Sequence, residues 1–194
     1  ILLVLAVVPQ SPAQAPVDPF ALWEQATVYR DEWGVPHVYA ASPRAMAFAF
    51  GYAQAEDHLE SMLLAYRYAQ GRVAEVMGEA YAPNDEFALK MGHHVLATAS
   101  YPQADPVTRE LCEGFALGVN AYLINHPDRA PAWAEAVNPE DILALMHAYL
   151  MSFAPFDLPD VFSPPPGARS GNAWAIAPSK SATGEAMLVP CALP

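Results

Sequence analysis

The stretch Ser170-Gly171-Asn172-Ala173-Trp174-Ala175-Ile176-Ala177-Pro178-Ser179-Lys180-Ser181-Ala182-Thr183-Gly184 decides how this chain is read. Ahead of it runs Leu158-Pro159-Asp160-Val161-Phe162-Ser163-Pro164-Pro165-Pro166-Gly167, where dense proline removes backbone donors and keeps the chain extended. Behind the serine, Ala173 to Ala177 is an apolar, strand-like run. A polar turn follows, and then a second apolar run from Ala186 to Val189. A hydroxyl therefore stands at the mouth of a linker, at the start of a strand. An enzyme made by internal peptide cleavage would carry its new N-terminus at such a place.

Asn172-Ala173-Trp174-Ala175-Ile176, followed by Ser179-Lys180-Ser181-Ala182-Thr183-Gly184, resembles the start of the β-chain in the penicillin acylase family of N-terminal nucleophile amidohydrolases. Further runs are similar to that family's α-chain: Arg30-Asp31, two residues, Gly34-Val35-Pro36-His37; Gly51-Tyr52-Ala53-Gln54-Ala55-Glu56-Asp57; Gln70-Gly71-Arg72-Val73-Ala74-Glu75-Val76-Met77-Gly78; and Gly118-Val119-Asn120-Ala121-Tyr122. The resemblance covers Thr27 to Gly184. It implies an α+β chain belonging to a four-layer αββα fold in the whole protein. This chain would supply a mostly helical α-domain, with a hairpin and a β-chain stub adding strands.

The activity implied is hydrolysis of a linear amide, of the β-lactam side-chain or N-acyl homoserine lactone type, through an acyl-enzyme on Ser170. A serine hydroxyl is a weak nucleophile and needs a base beside it. An α-amine, with a pKa of about 7.7–8.0, is partly unprotonated near neutral pH and serves as that base once cleavage frees it. The same hydroxyl first attacks the preceding carbonyl, so the enzyme cuts itself. No cofactor is implied beyond a structural calcium. The partners implied are a small amide substrate and the chain's own β-chain, which would carry the oxyanion hole and most calcium ligands.

The family pattern is Gly, nucleophilic Ser, Asn, any residue, Trp, whereas this chain reads Ser170-Gly171-Asn172-Ala173-Trp174. If Asn172 and Trp174 keep their register, Gly171 holds the nucleophile position and Ser170 lies one residue early. One residue along a strand moves a side chain about 3.3 Å and turns it to the other face. A bulge would restore Ser170. Arg169 stands where glycine is expected, and Pro190-Cys191-Ala192 replaces the usual Asn-Pro-His or Asp-Pro-His run. The rival expectation is a degenerate, uncleaved family member that folds and binds an acyl group.

The 194 residues carry a net charge of −12, which opposes nucleic-acid binding, since that requires clustered Lys and Arg. Hydrophobic residues make up 54% and charged residues 15%, a balance suited to a piece packed on a larger segment. Ile1 to Val8, then Pro9 and Ala13-Gln14-Ala15, reads as a secretory signal remnant. Eight apolar residues are too few to span a bilayer. Export to the bacterial periplasm or beyond follows, with no membrane-bound role. The domain plan is a signal remnant at 1–15, an α-chain domain at 16–157, a proline-rich linker at 158–169 and a β-chain start at 170–194.

Along the α-chain, Val28–Trp33 and Val35–Ala40 read as strands about Gly34, with His37 as scaffold. Ser42-Pro43 and Asp105-Pro106 each open a helix as cap and first-turn proline, and Asn138-Pro139 opens a third with Asp141 near N3. Gly71 and Gly78 look like helix ends, and Pro83-Asn84-Asp85 like a turn leading into a short helix that reaches His93-His94. Glu56, Asp57 and His58 point about 100° apart and so cannot share one ion; ion pairs with Arg67 or Arg72 are expected instead. His93 and His94 likewise face apart. Cys112 is expected as a buried free thiol. Core stripes are Val107, Leu111, Phe115, Gly118, Val119 and Tyr122, and Ile142, Leu145, Met146, Tyr149, Leu150 and Phe153. Tyr149 and Phe153, at i and i+4, either pack in the core or, as the resemblance implies, line the acyl pocket.

Overall fold

The structure is a computed structural model and describes residues 19–152 and 173–190. These fall in two compact units divided after Met151. The first opens with the short helix α1 (Pro19–Trp23) and an antiparallel hairpin, β1 (Ala26–Arg30) and β2 (Pro36–Ala40), with Arg30 opposite Pro36. Asp31 makes the turn: its carboxylate accepts the amides of Trp33 and Val35, both at 2.9 Å. Gly34 supplies the left-handed φ of 80° that a side chain would resist.

The long helix α2 (Pro43–Gln70) begins where Ser42 accepts the Ala45 amide at 3.2 Å and Pro43 fixes the first φ. It ends at Gly71, whose amide reaches back to Arg67 and Tyr68 in a left-handed cap. At His58 the backbone leaves helical geometry (φ −141°, ψ 28°), and the Ser61 hydroxyl donates to the His58 carbonyl at 3.0 Å. After α2 come α3 (Ala74–Met77), α4 (Ala82–Met91), α5 (His93–Ser100), α6 (Pro106–Asn125) and α7 (Pro139–Met151).

The expected turn at Pro83-Asn84-Asp85 is instead the first turns of α4, and Gly92, in left-handed geometry, divides it from α5. Proline at the second helical position costs no hydrogen bond, so the sequence signal for a turn and for a helix start is the same. Asp85 is buried, and its two oxygens accept the Val73 and Ala74 amides at 2.8 Å each, capping α3 from a distance.

The core forms where α2 crosses α6. A Cβ placed on Gly51 would overlap the Phe115 carbonyl, one on Gly114 the Arg44 carbonyl, and one on Gly118 the Phe48 carbonyl. With Ala47, Ala55 and Ala116 also buried there, the two backbones pack against each other directly. Larger side chains continue this core beyond the kink: Leu59, Leu63, Tyr66, Val119, Tyr122 and Val137. Asn120 fastens the connection before α7, bonding the Val137 amide and carbonyl at 2.8 Å each. Arg67, its side chain only 7% exposed, binds Glu75, Glu135 and the Trp133 carbonyl, tying α2 to α3 and to the same connection.

α6 starts as expected, with Asp105 accepting the amides of Val107 and Thr108 at 3.0 Å each. Its buried face holds Gly118, Val119 and Tyr122 but also Cys112, Gly114 and Ala116, while Val107 is exposed. Asn138 donates its amide to Asp141 at 2.8 Å at the start of α7. There the expected core stripe is turned: Asp141, Ala144 and Ala148 are buried, Ile142 and Leu145 half-buried, and Met146, Tyr149 and Leu150 exposed. Small side chains let α7 sit close to α2 and α5, which swings the bulky stripe outward.

In the second unit, β3 (Ala173–Ile176) pairs antiparallel with β4 (Met187–Pro190), Trp174 opposite Val189, through a 3-10 turn at Pro178–Lys180 and Gly184 at φ 71°. Strand, polar turn, strand is the order the sequence implied. The chain is α+β, mostly helical in its first unit.

Candidate functional site

The family-like motifs of the first unit prove to hold one another. Arg30 of β1 reaches across to α2, bonding Glu56 at 2.6 Å and Asp57 at 3.0 Å, and donates to the Gly34 carbonyl of its own turn at 2.7 Å. The partners expected for those acids, Arg67 and Arg72, go elsewhere: Arg72 pairs with Glu75 and Glu135. The physical reason is reach. The hairpin folds back over the middle of α2, while Arg67 and Arg72 stand at its far end. His37 meets Asp31 at 3.1 Å on the surface, and that bond, before the turn amides, lowers the Asp31 pKa. His37 thus sits on β2 and bonds the residue that makes the turn. Cys112 is buried and unpaired, and burial raises its thiol pKa. Among the described residues no three His, Cys, Asp or Glu side chains gather as a metal site.

A groove of about 500 Å³ lies between α2, α6 and α7, with the kinked His58 on its edge. Its floor and far wall are apolar, from Met62, Phe115, Ile142, Leu145, Met146 and Tyr149, while Gln54, His58 and Ser61 form a polar edge on α2. Such a trough suits an apolar group with one polar substituent. It holds no nucleophile and base in register, since the Ser61 hydroxyl is directed to a backbone carbonyl. A second apolar cavity, about 360 Å³, lies among Trp23, Phe48, Tyr52, Leu117, Ala121 and Ile124 and contains none of the expected site residues.

Of those expected residues, Tyr149 stands on the groove, 59% exposed, and not in the core. Phe153 and Ser170, with Gly171 and Asn172, lie outside the described residues, as do the Ile1–Ala15 segment and Cys191. The hairpin that follows Ser170 is described, and its Ile176 and Met187 are exposed. Sequence reading missed Gln54, His58 and Ser61 as groove residues. No glycine or proline marks the kink, and His58 has no apolar spacing to betray it.

Residues 25–190 match the family model described as penicillin amidase. The acyl-homoserine lactone acylase QuiP of Pseudomonas putida is 30% identical over 138 residues, 68% of this chain and 17% of that protein. Penicillin G acylase of Escherichia coli is 33% identical over 107 residues, 53% of this chain and 13% of that protein. The chain therefore spans less than a fifth of the length of these curated relatives. Among solved structures, the thermostable penicillin G acylase from Alcaligenes faecalis superposes with a TM-score of 0.62 at 27% identity, covering 69% of this chain and 76% of that one. A family match running from the first hairpin to β4, on a fold shared with a solved acylase, settles the assignment: the chain belongs to the penicillin amidase family.

Proposed function

We propose that the whole protein hydrolyses a linear amide through an N-terminal serine. In this reading residues 16–157 are the α-chain, 158–169 the linker removed or displaced at processing, and 170–194 the start of the β-chain. Residues 1–15 are a signal remnant and the product is exported. The observation that carries it is the family match across both sides of the linker, from residue 25 to residue 190. After cleavage the Ser170 hydroxyl attacks the amide carbonyl and its proton passes to the free α-amine. The amine returns that proton to the leaving nitrogen, the C–N bond breaks, and an acyl ester remains. Water, deprotonated by the same amine, then hydrolyses the ester. No cofactor takes part, and a calcium ion would be structural.

Tyr149, with Phe153 four positions on in the sequence, would receive the acyl group, and the apolar lining of the groove supports this. Relatives named for penicillin G and for acyl-homoserine lactones favour a β-lactam side-chain amide or an N-acyl homoserine lactone as substrate. A second reading rests on Gly171, which stands next to Asn172 where the nucleophile belongs. There the protein stays uncleaved and only binds.

Mass spectrometry of the purified full-length protein separates them. Splitting before Ser170, lost in Ser170→Ala, is the result expected for the enzyme. An unsplit protein that splits only after the exchange Ser170→Gly with Gly171→Ser would establish the degenerate reading. The attacking hydroxyl must come to about 3 Å of its carbonyl, so one residue of register decides the outcome.

A further inference from the structure

His93 and His147 meet where α5 packs on α7. Their Nδ1 atoms are 2.9 Å apart and the rings stand edge to face, with centroids 5.0 Å apart. His93 is 1% exposed, and its Nε2 is buried with no hydrogen-bond partner. The joint around them is otherwise lean: Ala69, Ala97, Ala144 and Ala148 are its buried apolar residues. Tyr68 of α2 lies beside His93, ring centroids 6.3 Å apart. On the same joint His94 meets Asp141 at 3.2 Å, and Asp141 also accepts Gln70 of α2 at 2.8 Å. Among the described residues no carboxylate bonds to His93 or His147.

The protons can be placed by elimination. Two Nδ1 atoms at hydrogen-bond distance require one N–H and one lone pair. With one proton per ring, the least costly arrangement has His93 donating from Nδ1, so that its buried Nε2 is a bare lone pair. An unmet N–H there would cost more. His147, half-buried, accepts at Nδ1. Now add a proton. If His147 becomes the cation it must donate from Nδ1, and His93 must shift its hydrogen to Nε2. If His93 becomes the cation, Nε2 is protonated as well. Every charged state of the pair thus puts a hydrogen on the one nitrogen with nothing to receive it. A doubly charged pair would set two N–H groups head to head.

We infer that the His93–His147 pair is an acid-sensitive joint, holding α5 on α7 while neutral and releasing it when protonated. α7 carries Met146 and Tyr149 into the groove, so release also loosens one groove wall. The direction agrees with the electrostatics: burial, and then the field of His147, lowers the His93 pKa. An unfolded histidine titrates near 6.5. Below that value, down to the folded one, the unfolded chain binds more protons, so stability is intact at higher pH and is lost as pH falls through this window. None of this depends on what happens at Ser170.

The test uses the intact protein. With ¹⁵N-labelled histidine, His93 should show a protonated Nδ1 and bare Nε2 at pH 7.5, and should remain neutral below the pH at which exposed imidazoles charge. A protonated Nε2 at pH 7.5, or ordinary titration near 6.5, overturns the inference. Amide exchange in α5, corrected for intrinsic rates, should be roughly tenfold faster relative to α6 at pH 5 than at pH 7, the equivalent of one pKa unit; equal protection overturns it. His93→Asn can donate to a neutral His147 and accept from a charged one, so it should remove most of the fall in Tm between pH 7 and 5. His94→Gln should keep that fall. If His94→Gln abolishes the fall and His93→Asn does not, the His94–Asp141 pair is the sensor and the assignment is wrong. Should His93→Asn fail to fold, the nitrogen spectra of the unaltered protein decide alone.

Discussion

Where α2 crosses α6 the apolar surface is built of Gly and Ala and is sealed; on the outer side of α7 it is built of Met, Tyr and Leu and lies open. Both regions read as helix faces of one periodicity. In the first, backbone lies on backbone, and a methyl added at Gly51, Gly114 or Gly118 meets a carbonyl. The second presents Met146, Tyr149 and Leu150 to the surroundings, each more than half exposed. Exposed apolar side chains gathered this way mark a surface that binds something. One region is closed by the chain's own backbone, and the other leaves its apolar side chains exposed.

The sharpest way to break the contrast is Gly118→Ala. Its new methyl would overlap the Phe48 carbonyl, which is backbone and cannot rotate away. Overpacking of this kind costs about 3 kcal/mol, at the upper end for a small-to-large core change. Denaturant unfolding of the intact protein measures it. A loss under about 1 kcal/mol would mean that the helices slide apart easily and the seam is not what sets their spacing.

Asp85→Ala comes next. It removes two buried 2.8 Å bonds to the amides that start α3 and leaves those donors unmet. About 2 kcal/mol is expected, from an unsatisfied buried group together with a lost cap. Unchanged stability would show that water replaces the carboxylate there. Glu75 belongs to the same corner, and its bond to Arg72 is the first cause of its lowered pKa.

How much of this could be read in advance divides along the same line. Caps were legible because they are local: Ser42, Asp105 and Gly71 act within four residues of themselves. The hairpin about Gly34 and the run of β3 and β4 were legible for the same reason. The sealed seam was half legible, as small residues without the knowledge of what they meet. Asp85, Arg30 and His93 were not legible in their roles, because their partners lie on other elements, 12, 26 and 54 positions away. The turned face of α7 was missed because a periodicity reports that a helix has an apolar side, and not whether alanines elsewhere on it win the close contact. Tyr149 kept its place among the candidates only through the family likeness.

The smallest effect on stability, and the one most telling about function, is expected from Tyr149→Ala. A side chain 59% exposed contributes little to folding, so denaturant unfolding should change by no more than about 0.5 kcal/mol. On the acyl-pocket reading the same substitution removes an aromatic wall from the groove, and kcat/KM for aromatic or long acyl amides should fall about tenfold, which is some 1.4 kcal/mol of transition-state binding. Acyl chains too short to touch Tyr149 should be hydrolysed as before. The two measurements separate a binding wall from a packing residue, because packing would move stability and leave the ratio between acyl chains unchanged. Equal losses for short and long acyl groups would remove Tyr149 from the pocket.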